Sequence, residues 1–177
     1  ETFYADADGD GFGDPDETSI ACGLAEGTSG QAGDCDDGDG TVGPLAEELC
    51  DGVDNDCSGD ADGADASDAL TWYLDADGDG FGDPDETATA CSQPEGMTQD
   101  STDCKDSNDF FHPEADEICD GYDNNCDGSV DEGTAVDALV WYADSDSDGA
   151  GDPDAPAMAC EQPEGHLADS QDCDDTD

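Results

Sequence analysis

The sequence predicts a mostly irregular, loop-rich fold with short β-strands, single helical turns and little hydrophobic core, built from tandem repeats. Three observations predict it. Of 177 residues, 33% are hydrophobic and 6% aromatic, with 23 Gly and 8 Pro, too little apolar material for a sizeable conventional core. Laid on itself, the chain repeats every 69 residues: Tyr4, Tyr73 and Tyr142 align, as do Cys22, Cys91 and Cys160, and Cys35, Cys104 and Cys173. Finally, 53 Asp and Glu stand against one Lys or Arg, a formal net charge of −52.

Charge of that density opposes compaction by self-repulsion, and composition alone reads as disorder. Ten cysteines and the strict period argue against disorder. Nucleic acid, anionic membranes and phosphate-rich substrates are repelled by such a surface. No apolar run approaches the ~18 residues of a membrane-spanning helix, and no signal segment opens the chain. The expectation is a soluble, mature or excised piece without membrane insertion. Residues 1–69 form repeat 1, 70–138 repeat 2 and 139–177 the first part of repeat 3. Ending within a repeat, the chain is expected to be an ordered piece of a longer protein or polymer.

Each repeat opens on a β-prone stretch, "TFYAD", "LTWYLD" or "LVWYAD". An acidic loop follows. Numbered from Asp6, "DADGDGFGDPDE" places Asp8 at position 3, Asp10 at 5, Gly11 at 6, Phe12 at 7, Asp14 at 9 and Glu17 at 12. This is the D-x-D-x-D-G-x5-E spacing of a calcium loop. Alternate side chains of a curling loop turn hard oxygens inward, glycine permits the sharp bend, position 7 offers a carbonyl and position 12 a bidentate carboxylate. Asp75, Asp77, Asp79, Phe81, Asp83 and Glu86 repeat it, whereas Asp144, Asp146, Asp148 and Asp152 are followed by Ala155 at position 12. The third loop is therefore expected to bind most weakly. Gly13 and Gly82 at position 8, and Pro15 and Pro84 just after, disfavour the exit helix of an EF-hand.

A second acidic cluster surrounds the second cysteine of each repeat, with Asp34 and Asp37, Asp103 and Asp106, and Asp172 and Asp175 as candidate ligands. "PLAEELC" and "PEADEIC" each suggest one helical turn with proline at its start. Glu48 and Glu117, near the ends of these stretches, are placed to fold back onto a third cluster. That cluster comprises Asp54, Asp56 and Asp62 in repeat 1, and Asp123, Asn125, Asp127 and Asp131 in repeat 2. Its alternative is an acidic turn pinned by disulfides.

The simplest cysteine pairing joins first to second and third to fourth: Cys22–Cys35, Cys50–Cys57, Cys91–Cys104, Cys119–Cys126 and Cys160–Cys173. Other connectivities remain open. Disulfide density of this kind points to an oxidising, extracellular or cell-surface setting. Zinc ligation is disfavoured, because CxxC spacing is missing and hard aspartates surround each thiol.

"DCDDGDGTVGPLAEELCDGVDNDCSGDADG" and "DCKDSNDFFHPEADEICDGYDNNCDGSVDEG" resemble the MopE-type metal-binding repeat of bacterial secreted and surface proteins, and the "YxDxDGDGxGDP" openings are similar to thrombospondin type 3 calcium repeats. The resemblance implies extracellular calcium modules with several Ca2+ per repeat. Copper binding does not carry over, since His112 and His166 occupy non-equivalent positions and soft ligands are otherwise absent or oxidised; both read as surface histidines.

The functional expectation is an extracellular array of 69-residue repeats stapled by calcium and disulfides: a stalk, spacer, surface layer or fibre that associates with copies of itself. The alternative is a calcium-dependent adhesion or ligand-binding module. Catalysis is not expected, because this composition builds no deep apolar pocket and presents no nucleophile–base pair.

Overall fold

A computed structural model describes residues 1–172; the expectations for Cys173 and Asp175 lie outside them. Among the described residues nine short strands recur in threes: β1 (Thr2–Ala5), β2 (Asp14–Ile20) and β3 (Thr28–Ser29); β4 (Leu70–Leu74), β5 (Asp83–Ala90) and β6 (Met97–Thr98); β7 (Leu139–Ala143), β8 (Pro156–Ala159) and β9 (His166–Leu167). The β-prone openings are β1, β4 and β7, each central to its own small sheet, as in the orders β2-β1-β3 and β8-β7-β9.

The second strand of the first two sheets departs from the sequence reading, which placed Asp14–Glu17 and Asp83–Glu86 wholly in loops. β1 and β2 pair Thr2↔Ile20, Phe3↔Ser19 and Tyr4↔Thr18, and the register then jumps to Ala5↔Asp14. Pro15, Asp16 and Glu17 bulge out of that ladder, on an edge strand where a missing N–H costs no pairing. The loop thus sits at the tip of a bulged hairpin.

The chain divides into two compact units, Glu1–Trp72 with Thr87–Glu95, and Tyr73–Glu86 with the chain from Gly96 onward. Phe3, Val42, Ala66 and Trp72 are the buried apolar side chains of the first unit, Phe111 and Ala135 those of the second. Among the described residues no large side chain is completely buried, so apolar packing contributes little. Trp72 and Trp141 each donate their indole N–H to a strand carbonyl, Ala90 and Ala159, at 3.0 Å.

The described residues contain no helix. The expected helical turns are single hydrogen-bonded turns, Ala46 N–H to Gly43 O at 2.8 Å and Ala115 N–H to His112 O at 2.9 Å. The chain then leaves this path because Glu48 and Glu117 are drawn onto amides of the following loop.

The disulfides correct the sequence reading. The bonds are Cys35–Cys57, Cys50–Cys91, Cys104–Cys126 and Cys119–Cys160, in place of Cys22–Cys35, Cys50–Cys57, Cys91–Cys104, Cys119–Cys126 and Cys160–Cys173. Cys57 and Cys126 adopt left-handed conformations, φ 57° and 56°, within loops wrapped around Glu48 and Glu117. Those bends carry the fourth cysteine to the second, with Cα–Cα distances of 5.7 Å, and leave the third for the hairpin of the next repeat. Cys50–Cys91 and Cys119–Cys160 therefore cross repeat boundaries, with a sequence separation of 41. Cys22 has a free, exposed thiol.

Candidate metal centres

The opening loops are held by their own carboxylates. Asp6 Oδ1 accepts the Gly9 amide at 2.8 Å, Asp8 Oδ1 that of Asp10 at 3.1 Å and Asp10 Oδ1 that of Phe12 at 2.7 Å. The second repeat matches: Asp75 Oδ1 accepts from Gly78, Asp77 Oδ1 from Asp79 and Asp79 Oδ1 from Phe81. Asp75 also gives Oδ2 to the Gly80 amide at 3.2 Å. Oδ2 of Asp8, Asp77 and Asp79 is buried with no hydrogen-bond partner. A buried carboxylate oxygen without a donor is costly unless a cation sits beside it, so these residues fit a metal ion. Asp6, Asp8 and Asp10 each place an oxygen within 4.8 Å of the others.

Structure merges two clusters that looked separate in sequence. Gly13 O accepts the amides of Gly33 and Asp34 at 3.2 and 3.3 Å, and Gly82 O that of Asp103 at 3.2 Å. Asp37 Oδ1 accepts the Ala7 amide at 2.8 Å, and Asp106 Oδ1 the Ala76 amide at 2.7 Å. These bonds seat the cysteine-flanking aspartates on the hairpin tip, where oxygens of Asp8, Asp34 and Asp37 fall within 4.8 Å of one another, as do those of Asp75, Asp77 and Asp106. Position 8 must be glycine for this approach: a Cβ on Gly13 would lie 2.3 Å from Ala5 O, and one on Gly82 2.8 Å from Asp100 O.

Burial pushes the Asp34 and Asp103 carboxyls above the usual carboxylate range, and neighbouring charges (Asp8, Asp10 and Asp37; Asp79, Asp77 and Asp106) push the same way. Asp106 is raised by burial and by Asp77, Asp75 and Asp83. Asp14 Oδ1 and Asp83 Oδ1 accept the amides two residues on. Glu17 and Glu86, the expected position-12 ligands, are exposed, Glu17 in the β2 bulge. Phe12 and Phe81 are half-buried. In the third repeat Asp148 donates its amide to Asp146 Oδ1 and Ala150 donates to Asp148 Oδ1. Asp144 Oδ1 and Asp172 Oδ2 are buried oxygens there, and Asp152 donates its amide to Ala143 O.

The third cluster is organised around a buried glutamate. Glu48 Oε2 accepts the Asp56 amide at 3.1 Å and Oε1 the Asp62 amide at 3.0 Å. Glu117 takes the amides of Asn124, Asn125 and Asp131. Oxygens of Glu48, Asp54 and Asp56 lie within 4.8 Å of one another. Asp54 and Asp123 each use both oxygens on loop amides, and Asp127 Oδ1 accepts from Ser129. Asp62 and Asp131 reach back to the amides of Gly52 and Gly121.

Sequence reasoning missed several residues here. Asn55 and Asn124 are buried and cap the Leu49 and Ile118 amides; their signal was the repeated "DN" in the loop. Asp68 and Asp137 hold the amides of Cys50 and Cys119 at 2.8 Å. Glu132 Oε2 is a further buried, unpartnered oxygen. His112, expected at the surface, is half-buried with its ring stacked on Phe81 at 5.1 Å, and its Nδ1 accepts the Glu114 amide. Lys105 lies over the rings of Phe111 and Tyr122, 3.9 and 4.8 Å from their centroids, where repeat 1 has Asp36, Val42 and Val53.

The family profile Cu-binding MopE, described as "Putative metal-binding motif", matches residues 34–63 and 103–132. Neither a curated protein nor a solved structure gives a match to the chain. The two matched segments start at the buried Asp34 and Asp103 and include Glu48 with its loop and Glu117 with its loop. Two segments of the chain, each closed by a disulfide, are thus similar to the MopE-type metal-binding motif.

Proposed function

We propose that this chain is a calcium-stapled structural array of the extracellular space or cell surface, serving as a stalk, spacer, surface layer or fibre rather than as a catalyst. The observation that carries the reading is the set of buried aspartate oxygens that lack donors, clustered with other carboxylates in both complete repeats. Calcium is favoured over copper by donor chemistry. The clusters at the hairpin tips and around Glu48 are carboxylate oxygens, with the Cys104–Cys126 disulfide sulfurs beside Asp103, a hard donor set. A structural role is supported by the way the same carboxylates also cap loop amides, so that ion binding and loop closure are one event. The disulfides support an oxidising compartment.

Titration with calcium against a chelator control, followed by circular dichroism and sedimentation, tests the reading. The loaded chain is expected to sediment as a compact body resisting protease, and the chelated chain to expand. Identical sedimentation and digestion in both states overturns it. Filaments formed by the loaded chain alone, seen by electron microscopy, would favour the fibre form.

A further inference from the structure

We propose that the hairpin tip of each complete repeat, together with the following cysteine-flanking aspartates, forms a two-cation centre in which Asp8, and Asp77 in the second repeat, bridges the ions. This rests on the metal-binding reading above and adds how many ions share one tip and which residue joins them.

Two triads of oxygens meet in the first repeat, Asp6 with Asp8 and Asp10, and Asp8 with Asp34 and Asp37, each within 4.8 Å internally. They share Asp8 alone. The second triad contains a carboxylate that turns cannot explain. Asp34 is 2% exposed, its Oδ1 accepts the Asp36 amide at 2.9 Å, and its Oδ2 is buried without a partner. Asp8 Oδ2 is orphaned beside it. Repeat 2 reproduces the orphaned oxygens: Asp103 is 4% exposed with Oδ1 on the Lys105 amide and Oδ2 orphaned, as are Oδ2 of Asp77 and Asp79. There Asp77 groups with Asp75 and Asp106, the counterparts of Asp6 and Asp37, so Asp77 again joins the hairpin tip to the cysteine-flanking segment.

Charge sets the count. The carboxylates of Asp6, Asp8, Asp10, Asp34 and Asp37 converge on one tip, and a single divalent ion would leave a net charge of three on a cluster in which only Asp10 is exposed. A second ion reduces that to one. Carboxylates bridge readily because each oxygen carries two lone pairs. Asp34 and Asp37 reach the tip through Gly13 O and the Ala7 amide, so the second ion ties the hairpin to the cysteine-flanking segment.

Mn2+ is a suitable probe, being a hard divalent ion with an electron paramagnetic resonance signal that broadens when two ions share a bridge. The full chain loaded with Mn2+ is expected to show spin-coupled pairs. Asp34→Asn keeps the Oδ1 acceptor for the Asp36 amide, and should lose one ion by native mass spectrometry together with the coupled signal of that repeat. Asp10→Asn should weaken the first ion and leave the ion of Asp34 and Asp37 in place. Only isolated six-line spectra at saturation, or an unchanged ion count in Asp34→Asn, overturns the two-cation centre while leaving metal binding intact. A parent chain that takes up no Mn2+ and no calcium overturns both.

Discussion

At the scale of single residues, burial separates the carboxylates that matter from those that merely fit a spacing. Asp103 is buried with an orphaned oxygen, whereas Glu86 is exposed on β5. Asp103→Asn should weaken ion binding on the order of 10–100-fold, and Glu86→Ala should change it by no more than about twofold. Isothermal calorimetry of the two variants checks this, and the reverse order would refute the site. Position 4 of the third loop offers a second residue-scale test. Gly9 and Gly78 hold φ 85° there, and Ser147 holds φ 68°, a region that L side chains enter at a cost of about 1–2 kcal/mol. Ser147→Gly should stabilise that hairpin by about 1 kcal/mol, read as slower amide hydrogen exchange between Val140 and Met158.

At the scale of elements, the hairpin tip depends on backbone contact more than on side-chain packing. Gly82 lies where any Cβ would meet Asp100 O, and its own carbonyl positions Asp103. Gly82→Ala is expected to cost about 1–3 kcal/mol by overpacking, and to lower affinity at that tip without touching a ligand. Denaturation with and without calcium separates the two effects; an alanine variant equal to the parent in both would refute the contact. The strands β1, β4 and β7 were legible in sequence because aromatic and β-branched residues cluster there. β2 and β5 were not, because "DPDET" carries proline and carboxylates that resemble a loop, and in β2 it pairs only through a bulge.

At the scale of the whole molecule, protons and cations compete for the same oxygens. Asp34, Asp103 and Asp106 are raised above the ordinary carboxylate range, chiefly by burial. In the ion-free state the folded chain therefore holds protons more tightly than the unfolded chain. Its stability is greatest below the ordinary carboxylate pKa and falls as pH rises through the raised folded values. The chelated chain should compact on acidification toward about pH 4. The calcium-loaded chain should instead release ions and loosen over the same range. Sedimentation at several pH values, with and without chelator, checks both directions; parallel curves would refute the linkage. Non-reducing digestion should recover the Cys50 peptide joined to that of Cys91, a closure contributing about 3–4 kcal/mol in a chain-entropy treatment.

The sequence by itself determined the 69-residue period, the scarcity of apolar core, the three opening strands and the acidic loops, because composition and spacing are local properties written into each repeat. Tertiary structure alone decided which cysteines meet and which acidic clusters become one. Both depend on contacts between segments about 20 to 40 residues apart. The carbonyls of Gly13 and Gly82, and the buried carboxylates of Glu48 and Glu117, bend the chain there in ways that residue spacing does not encode.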